Sequence, residues 1–394
     1  MTIFALSTGP GLSGLAVIRI SGKDVIKTIK QLTNSELPKP RVAVFKKFKD
    51  SKNQIIDEGI LIWFPAPNSY TGEDMAEFHV HGSKAVIDAI YRELLQVQNC
   101  RLAEPGEFTK IAFINGKINL LKAEGISDLI SSETEIQRQQ AIKLMSGKSS
   151  EKFESVRSKL IKILSYVEAK IDFPDEDLPE NILDNIKIEV QNIIKELKKI
   201  INDQKVGERI REGFKVAIIG PANAGKSSLL NYLADRDVAI VSEIAGTTRD
   251  VIESHLNLDG YPVIISDTAG IRDSKDEIEK KGIKLSLKRA EDADLKIIIL
   301  EPKSVDFKHF FKNLLDDRSI LIVNKMDHEN IEVDEEIKKL NPLYMSVKKN
   351  INLDSLVNEV KKNLENKFIP KTDIFITRSR HRENIINCIN YLNK

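Results

Sequence analysis

The chain has 394 residues, enough for two or three domains that each bury a core of their own. Its 60 Lys and Arg balance 59 Asp and Glu, so net charge gives no general attraction for nucleic acid, and any such contact needs a local patch. Cys100 and Cys388 suit a reducing compartment and lack metal-binding spacing. The longest apolar runs are strand-sized, and no charged leader precedes one, so neither export nor a membrane span is expected and the cytoplasm is the default.

Residues 1–119 alternate short apolar runs, such as Leu15-Ala16-Val17-Ile18-Arg19-Ile20 and Gly59-Ile60-Leu61-Ile62-Trp63-Phe64, with Gly and Pro punctuation. They predict a small α+β domain. Within it His79 and His81 alternate along a predicted strand and share one face. Two such imidazoles can ligate zinc, but no third ligand accompanies them at a sensible spacing.

From residue 120 to 212 breakers become rare, and apolar residues at Ile186, Val190, Ile193, Leu197 and Ile200 follow the three-and-four spacing of an amphipathic helix. The acidic stretch Asp172-Phe173-Pro174-Asp175-Glu176-Asp177 interrupts these helices and reads as a solvated loop. Lys-rich segments at 46–49 and 195–199 read as solvated faces, because acidic residues are interspersed nearby.

Residues 213–368 show the strand and helix alternation of a doubly wound α/β domain, and residues 369–394 turn helical again over 378–392. A helical region interrupted by an inserted switch domain would let nucleotide state change the angle between its outer helices.

Five stretches in the α/β region occur in one order: GPANAGKSS (220–228), GTTRD (246–250), DTAG (267–270), NKMD (324–327) and MSVK (345–348). The first lies between the apolar run Lys215-Val216-Ala217-Ile218-Ile219 and the helical run Ser228-Leu229-Leu230-Asn231-Tyr232-Leu233, the context a phosphate loop needs. Gly220 and Gly225 allow the tight turn, Lys226 neutralises β/γ-phosphate charge, and the Ser227 hydroxyl ligates magnesium. Asp267 ends the strand Pro262-Val263-Ile264-Ile265-Ser266, where its carboxylate can hold magnesium through water while the Gly270 N–H meets the γ-phosphate. Asn324-Lys325-Met326-Asp327 follows a third apolar strand, Ser319-Ile320-Leu321-Ile322-Val323. The Asp327 carboxylate can accept from the imino and amino groups of guanine, a donor pair that adenine lacks. The expected nucleotide is therefore GTP rather than ATP.

Outside the switch region stand Arg19-Ile20-Ser21-Gly22, Ser69-Tyr70-Thr71-Gly72-Glu73-Asp74, His81-Gly82, Pro105-Gly106-Glu107-Phe108-Thr109, Ala112-Phe113-Ile114-Asn115-Gly116-Lys117 and Ala123-Glu124-Gly125-Ile126-Ser127-Asp128-Leu129-Ile130. With GTTRD and DTAG, the chain resembles the tRNA-modification GTPase family called MnmE or TrmE over almost its full length. The resemblance implies an N-terminal tetrahydrofolate-binding and dimerisation domain (1–119), a helical domain in two parts (120–212 and 369–394) and an inserted Ras-like GTPase domain (213–368). It further implies a homodimer that works on tRNA with an MnmG-type FAD protein in a heterotetramer, forming 5-carboxymethylaminomethyl or aminomethyl uridine at the wobble position. The one-carbon unit would come from 5-formyl- or 5,10-methylenetetrahydrofolate. The positions matching the folate contacts are Arg19, Glu77 and Lys117; a cation can pair with folate carboxylates, and Glu77 can accept from the pterin amino groups. Neither DNA nor a membrane is an expected partner.

Carried over residue by residue, the nucleotide contacts fall on Asn223, Ala224, Gly225, Lys226, Ser227 and Ser228; on Ser242, Glu243, Ile244, Ala245, Gly246, Thr247 and Thr248; on Asp267, Thr268, Ala269 and Gly270; on Asn324, Lys325, Met326 and Asp327; and on Ser346, Val347 and Lys348. Small signalling GTPases place a water-orienting glutamine directly after DTAG and borrow an arginine for transition-state charge. This chain has Ile271 there, which cannot orient water. The resemblance supplies potassium in place of the arginine, with Asn223 as side-chain ligand and Ser242, Ile244 and Thr247 lining the rest of its site. Thr248 matches the second magnesium hydroxyl after Ser227. Glu279 aligns with the water-orienting glutamate, with Glu277 as the alternative, so Glu279, Lys226 and Thr248 form the expected catalytic set.

Family members normally continue to a C-terminal Cys-x-Gly-Lys. Cys388 does not start that motif, because Asn390 and Tyr391 stand where Gly and Lys would be, and it reads as a packing residue of an amphipathic helix. A missing tail would leave part of the 120–206 helices' apolar face without its partner. Two other readings follow the switch motifs: a ribosome-assembly GTPase, which should carry an RNA-binding appendage such as a KH domain, and a scaffold that keeps the GTP and folate sites but cannot modify tRNA.

Overall fold

A computed structural model describes residues 1–172, 182–221, 223–236, 253–266, 290–303, 312–327, 331–368 and 376–394. The chain forms two compact units, Met1–Glu124 and Gly125–Lys394. The change of sequence texture at 120 marks the start of the helix Leu120–Ile130, which continues past the end of the first unit.

In the first unit a six-stranded sheet runs in the order β3-β4-β5-β2-β1-β6. Its strands are β1 (Thr2–Leu6), β2 (Ser13–Ser21), β3 (Val44–Lys49), β4 (Ile55–Phe64), β5 (Met75–Gly82) and β6 (Cys100–Leu102), antiparallel except for the β1 and β6 pair. Side chains alternate between the two faces of such a sheet. Phe4, Ile18, Ile20, Leu61, Ala76 and Phe78 form a buried core with α1 (Val25–Thr33) and α2 (Lys84–Gln96). Ser83 starts α2 by accepting the Val86 N–H at 3.2 Å, a side-chain cap on the helix's free donors. The helix α3 (Glu107–Ile114) follows β6.

Register decides the other face. Ala5, Arg19, Glu77 and Ile62 lie opposite one another across four strands, and Val17, His79, Ile60 and Phe45 form the next row. Phe45 is 63% exposed and Ile60 39%. Gly59 is obligatory in this sheet, since a Cβ would stand 2.1 Å from the His79 carbonyl oxygen.

The second unit combines helices with a six-stranded sheet. In chain order the helices are α4 (Leu120–Ile130), α5 (Glu135–Met145), α6 (Lys148–Asp172), α7 (Ile182–Ile201), α8 (Val206–Glu212), α9 (Lys226–Arg236), α10 (Glu335–Lys338), α11 (Leu353–Phe368) and α12 (Ser379–Leu392). The predicted periodicity over 186–200 falls within α7, whose Ile193, Ile194 and Leu197 pack with Val156 and Ile163 of α6 and with Ile385 and Ile389 of α12. Cys388 is half-buried against this cluster, and burial pushes its thiol above the usual range, consistent with a packing role.

The sheet order is β12-β11-β10-β7-β9-β8, with strands β7 (Phe214–Ile219), β8 (Glu253–Leu258), β9 (Tyr261–Ser266), β10 (Leu295–Leu300), β11 (Ser319–Val323) and β12 (Leu343–Tyr344). All neighbours are parallel except the β8 and β9 hairpin. Every residue of β10 is buried, as expected of a strand covered on both faces. Lys296 alone there needs a polar partner, and its Nζ donates to the Leu314 carbonyl at 2.7 Å and pairs with Asp316 at 2.8 Å.

The short helix α8 joins the helical residues to β7 through ion pairs on several sides. Arg209 Nε lies 2.7 Å from Asp294 beside β10, while Arg211 and Arg378 share the Asp128 carboxylate at 3.1 and 2.9 Å. Arg382 reaches Glu208 at 3.2 Å, Asp203 at 2.7 Å and the Ile201 carbonyl at 2.7 Å, and its side chain is only 12% exposed. Removing one partner of a buried ion pair leaves the other charge uncompensated, which typically costs about 3–5 kcal/mol, whereas exposed pairs contribute about 0–1 kcal/mol. Arg382→Ala should therefore lower stability by about 3 kcal/mol in urea unfolding. Arg157→Ala, which breaks an exposed pair with Glu154, should change it by less than about 1 kcal/mol. Equal effects would refute the assignment of Arg382 as a buried clamp.

Candidate functional site

β7 ends at the carboxyl edge of the sheet, between β10 and β9 where strand order reverses, and the chain turns there from Ile219 into α9. Open parallel sheets bind ligands at this topological switch point. Gly220 passes so close to β10 that a Cβ would lie 2.1 Å from the Ile299 carbonyl oxygen. Gly225 has φ +102, and a Cβ on it would meet the Asn324 amide nitrogen at 2.3 Å. Both glycines are thus required by geometry, Gly220 by close approach and Gly225 also by its left-handed backbone. Asn223 takes φ 62, Ala224 is buried, and Ser227 and Ser228 are exposed at the start of α9. Lys226 Nζ donates to the Gly220 and Pro221 carbonyls at 2.9 and 2.7 Å, which holds the ammonium over the loop.

The predicted guanine-reading stretch follows β11. Asn324 is 4% exposed; its Nδ2 donates to the Ala224 carbonyl at 2.8 Å and its Oδ1 accepts the Val347 N–H at 3.0 Å. One side chain thereby joins the phosphate loop to the two loops that follow β11 and β12. Ser346, fully buried, donates from Oγ to Asp327 Oδ1 at 3.1 Å and accepts the Lys349 N–H at 3.3 Å. Asp327 is thus aimed by Ser346, while the Met326 N–H donates to the Met345 carbonyl at 3.1 Å. Lys325 pairs with Glu301 at the end of β10, and Lys348 is exposed. Residues far apart in sequence therefore meet at one sheet edge, with a basic, N–H-rich loop at one end and an aimed carboxylate at the other. That arrangement fits triphosphate and base binding.

The remaining expected contacts lie outside the described residues. These are Ser242, Glu243, Ile244, Ala245, Gly246, Thr247 and Thr248, then Asp267, Thr268, Ala269, Gly270 and Ile271, and also Glu277 and Glu279.

In the first unit, register brings Arg19 and Glu77 together. Arg19 donates from Nε and Nη2 to Glu77 Oε1 at 3.1 and 2.8 Å, and His79 Nε2 lies 3.3 Å from Glu77 Oε2. Lys117 is not part of this cluster. Its Nζ donates to the Pro67 carbonyl at 2.8 Å, and its stem lies 3.2 Å from where a Cβ on Gly72 would be. Asn115 donates to the Thr71 carbonyl at 2.8 Å, so the 69–74 and 115–117 stretches close on each other.

The two histidines share a face but have separate carboxylate partners. His81 binds Asp57 at 2.9 Å; burial opposes ionisation of that carboxyl, but hydrogen bonds from the His81 backbone and ring hold it below the usual range. Among the described residues no group of three metal-ligating side chains converges. The sequence offers His79 only as half of a histidine pair and gives no sign that Tyr70 and Phe108 stand at this cluster. Tyr70 and Phe108 stand in the quoted motifs, and strand alternation places His79 beside Glu77, but contact across the sheet needed the register. Cys100 is half-buried, and its thiol is pushed up to about 11 mainly by burial, which makes it a poor nucleophile. No helix among the described residues is long and apolar enough to cross a membrane.

Residues 2–117 match the family described as GTP-binding protein TrmE N-terminus, and residues 120–394 match the MnmE helical domain. The tRNA modification GTPase MnmE of Pelagibacter ubique is 65% identical over 393 residues, covering 100% of this chain and 89% of the relative. The protein of that name from Rickettsia akari is 44% identical, covering 99% and 89%. Among solved structures, the G domain of the T. maritima FeoB iron transporter is similar over 38% of this chain and 98% of that one, at 26% identity and a TM-score of 0.30. With both matched regions and the relatives spanning its length, the chain belongs to the tRNA modification GTPase MnmE family.

Proposed function

We propose that this chain hydrolyses GTP as part of tRNA wobble-uridine modification, acting with an MnmG-type flavoprotein and a reduced folate. The observation that carries the nucleotide half is Asn324, which ties the phosphate loop to the stretch whose Ser346 aims the Asp327 carboxylate at a guanine. Family membership carries the tRNA half and disfavours the ribosome-assembly reading.

In this reading the phosphate-loop N–H groups and Lys226 bind the β- and γ-phosphates, and Ser227 offers its hydroxyl to magnesium. Magnesium and potassium would supply positive charge to the developing transition state, the task an arginine finger performs elsewhere. Asn223 fits a cation ligand in type and exposure, standing in left-handed backbone at the loop's turn. Thr248 and Glu279 complete the proposed set, Glu279 orienting the water that Ile271 cannot. A finger-type charge contributes about a thousandfold to a hundred-thousandfold in rate, so turnover in potassium should exceed that in sodium by orders of magnitude. Equal hydrolysis rates in the two salts, at matched ionic strength, would remove potassium from the mechanism.

Asp327→Asn tests the base contact. Replacing the acceptor by an amide sets one donor against another, so GTP affinity should fall by about a hundredfold or more while XTP, which carries a carbonyl at that position, binds better. Unchanged GTP affinity in equilibrium dialysis would rule out Asp327 as the guanine reader.

The open face of the first sheet supports a second copy of this chain as its partner and a folate site built around Arg19 and Glu77. Phe45 and Ile60 expose apolar surface in the row beside those residues. Phe45→Glu with Ile60→Glu should convert a dimer to monomers in light scattering, and a dimer that persists would move the interface elsewhere. The cytoplasm remains the proposed compartment. Mass analysis of wobble uridines in cells that depend on this chain alone separates a modifying enzyme from a GTP- and folate-binding scaffold; unmodified uridines in the presence of its partner would favour the scaffold.

A further inference from the structure

An arginine on an exposed sheet face ordinarily samples many rotamers, and fixing it opposes whatever its ion pair contributes. Arg19 is held in another way. Its guanidinium carbon lies 5.6 Å from the centroid of the Tyr70 ring and 5.9 Å from that of Phe108, both within cation–π range. The two rings come from separate segments: Tyr70 from the loop between β4 and β5, Phe108 from the first turn of α3.

Tyr70 is fixed in turn by a 2.8 Å hydrogen bond between its hydroxyl and that of Thr109, the residue after Phe108, so one bond ties the two aromatic segments together. The Tyr70 loop is closed beneath by the buried pair of Ser21 and Thr71 hydroxyls at 2.7 Å. Donor accounting then matters. A guanidinium has five N–H groups. Two of them engage Glu77 Oε1, which leaves three for a ligand oxygen.

We infer that Tyr70 and Phe108 are positioning residues of the reduced-folate site: their rings hold the Arg19 guanidinium in the orientation that keeps Glu77 in place and leaves the remaining donors for a pterin carbonyl or a glutamyl carboxylate. This rests on the folate reading above. It assigns affinity to two neutral side chains that would act through Arg19.

The experiment uses the full chain and 5-formyltetrahydrofolate as the probe, with affinity measured by calorimetry. Tyr70→Leu and Phe108→Leu should each weaken binding by about tenfold, and Tyr70→Phe, which keeps the ring, should stay within about threefold of the parent. In an Arg19→Met background, Tyr70→Leu should cause no further loss, because the ring acts through the guanidinium. Far-ultraviolet circular dichroism of Tyr70→Leu should match the parent, which checks folding.

A second measurement needs no ligand. With arginine labelled in nitrogen-15, the Arg19 Nε–H signal should be displaced by the ring currents of the parent and move toward an ordinary arginine position in Tyr70→Leu. Parent protein that does not bind the probe would overturn the folate reading, and this inference with it. Parent protein that binds, with Tyr70→Leu binding equally well or losing as much without Arg19, would overturn the positioning role alone. An Nε–H signal unmoved by Tyr70→Leu would also overturn it.

Discussion

The second unit depends on the ion pairs of one short helix. α8 leads into the strand that carries the phosphate loop, and its charged residues are matched on separate sides: Glu208 to Arg382, Arg209 to Asp294, and Arg211 to Asp128. Half-buried charges are tolerated only when each finds its counter-charge, so the pairing admits few arrangements of α4, α8, α12 and the start of β10. Helices on either side of a long insertion are thereby held against the sheet that the insertion builds. These pairs lie at the amino edge of the sheet, where they give α12 polar, directional contacts, in contrast to the apolar α6, α7 and α12 cluster, which constrains packing without fixing direction.

Within the nucleotide site, a single amide sets the geometry. Asn324 satisfies both its donor and its acceptor on backbone groups of other loops, so the spacing between the phosphate loop and the 345–348 stretch, whose Ser346 holds Asp327, is fixed by hydrogen bonds. Gly225 is required for the same reason, since any side chain there would occupy the space of that amide. In the first unit the comparable role falls to register, which sets Arg19 opposite Glu77 and gathers Phe45, Ile60 and His79 on the same face.

Much of this was legible in the residues. The apolar runs at 215–219, 262–266 and 319–323 lie within strands, and the periodicity at 186–200 lies within a helix, because hydrophobic patterning records which faces are buried. The order of the phosphate and guanine stretches points to GTP by donor and acceptor chemistry alone. Less legible was the partnership of Lys117. The family resemblance implied a folate contact at Lys117 with Arg19 and Glu77; its ammonium donates to the Pro67 carbonyl and its stem covers Gly72, an arrangement set by loop closure. His79 and His81 read as a possible metal pair, yet each meets a carboxylate that the sequence places two and twenty-four residues away.

By itself, then, the sequence determined the elements, the nucleotide and the family, since local patterns and contiguous motifs encode burial, loop geometry and donor chemistry over a few residues. Tertiary structure alone decided which charges pair, that Asn324 bridges three loops, and that two aromatic rings from different segments close on Arg19. Those outcomes depend on strand register and helix packing, where residues up to hundreds of positions apart, such as Asp128 and Arg378, compete for partners within a few ångströms.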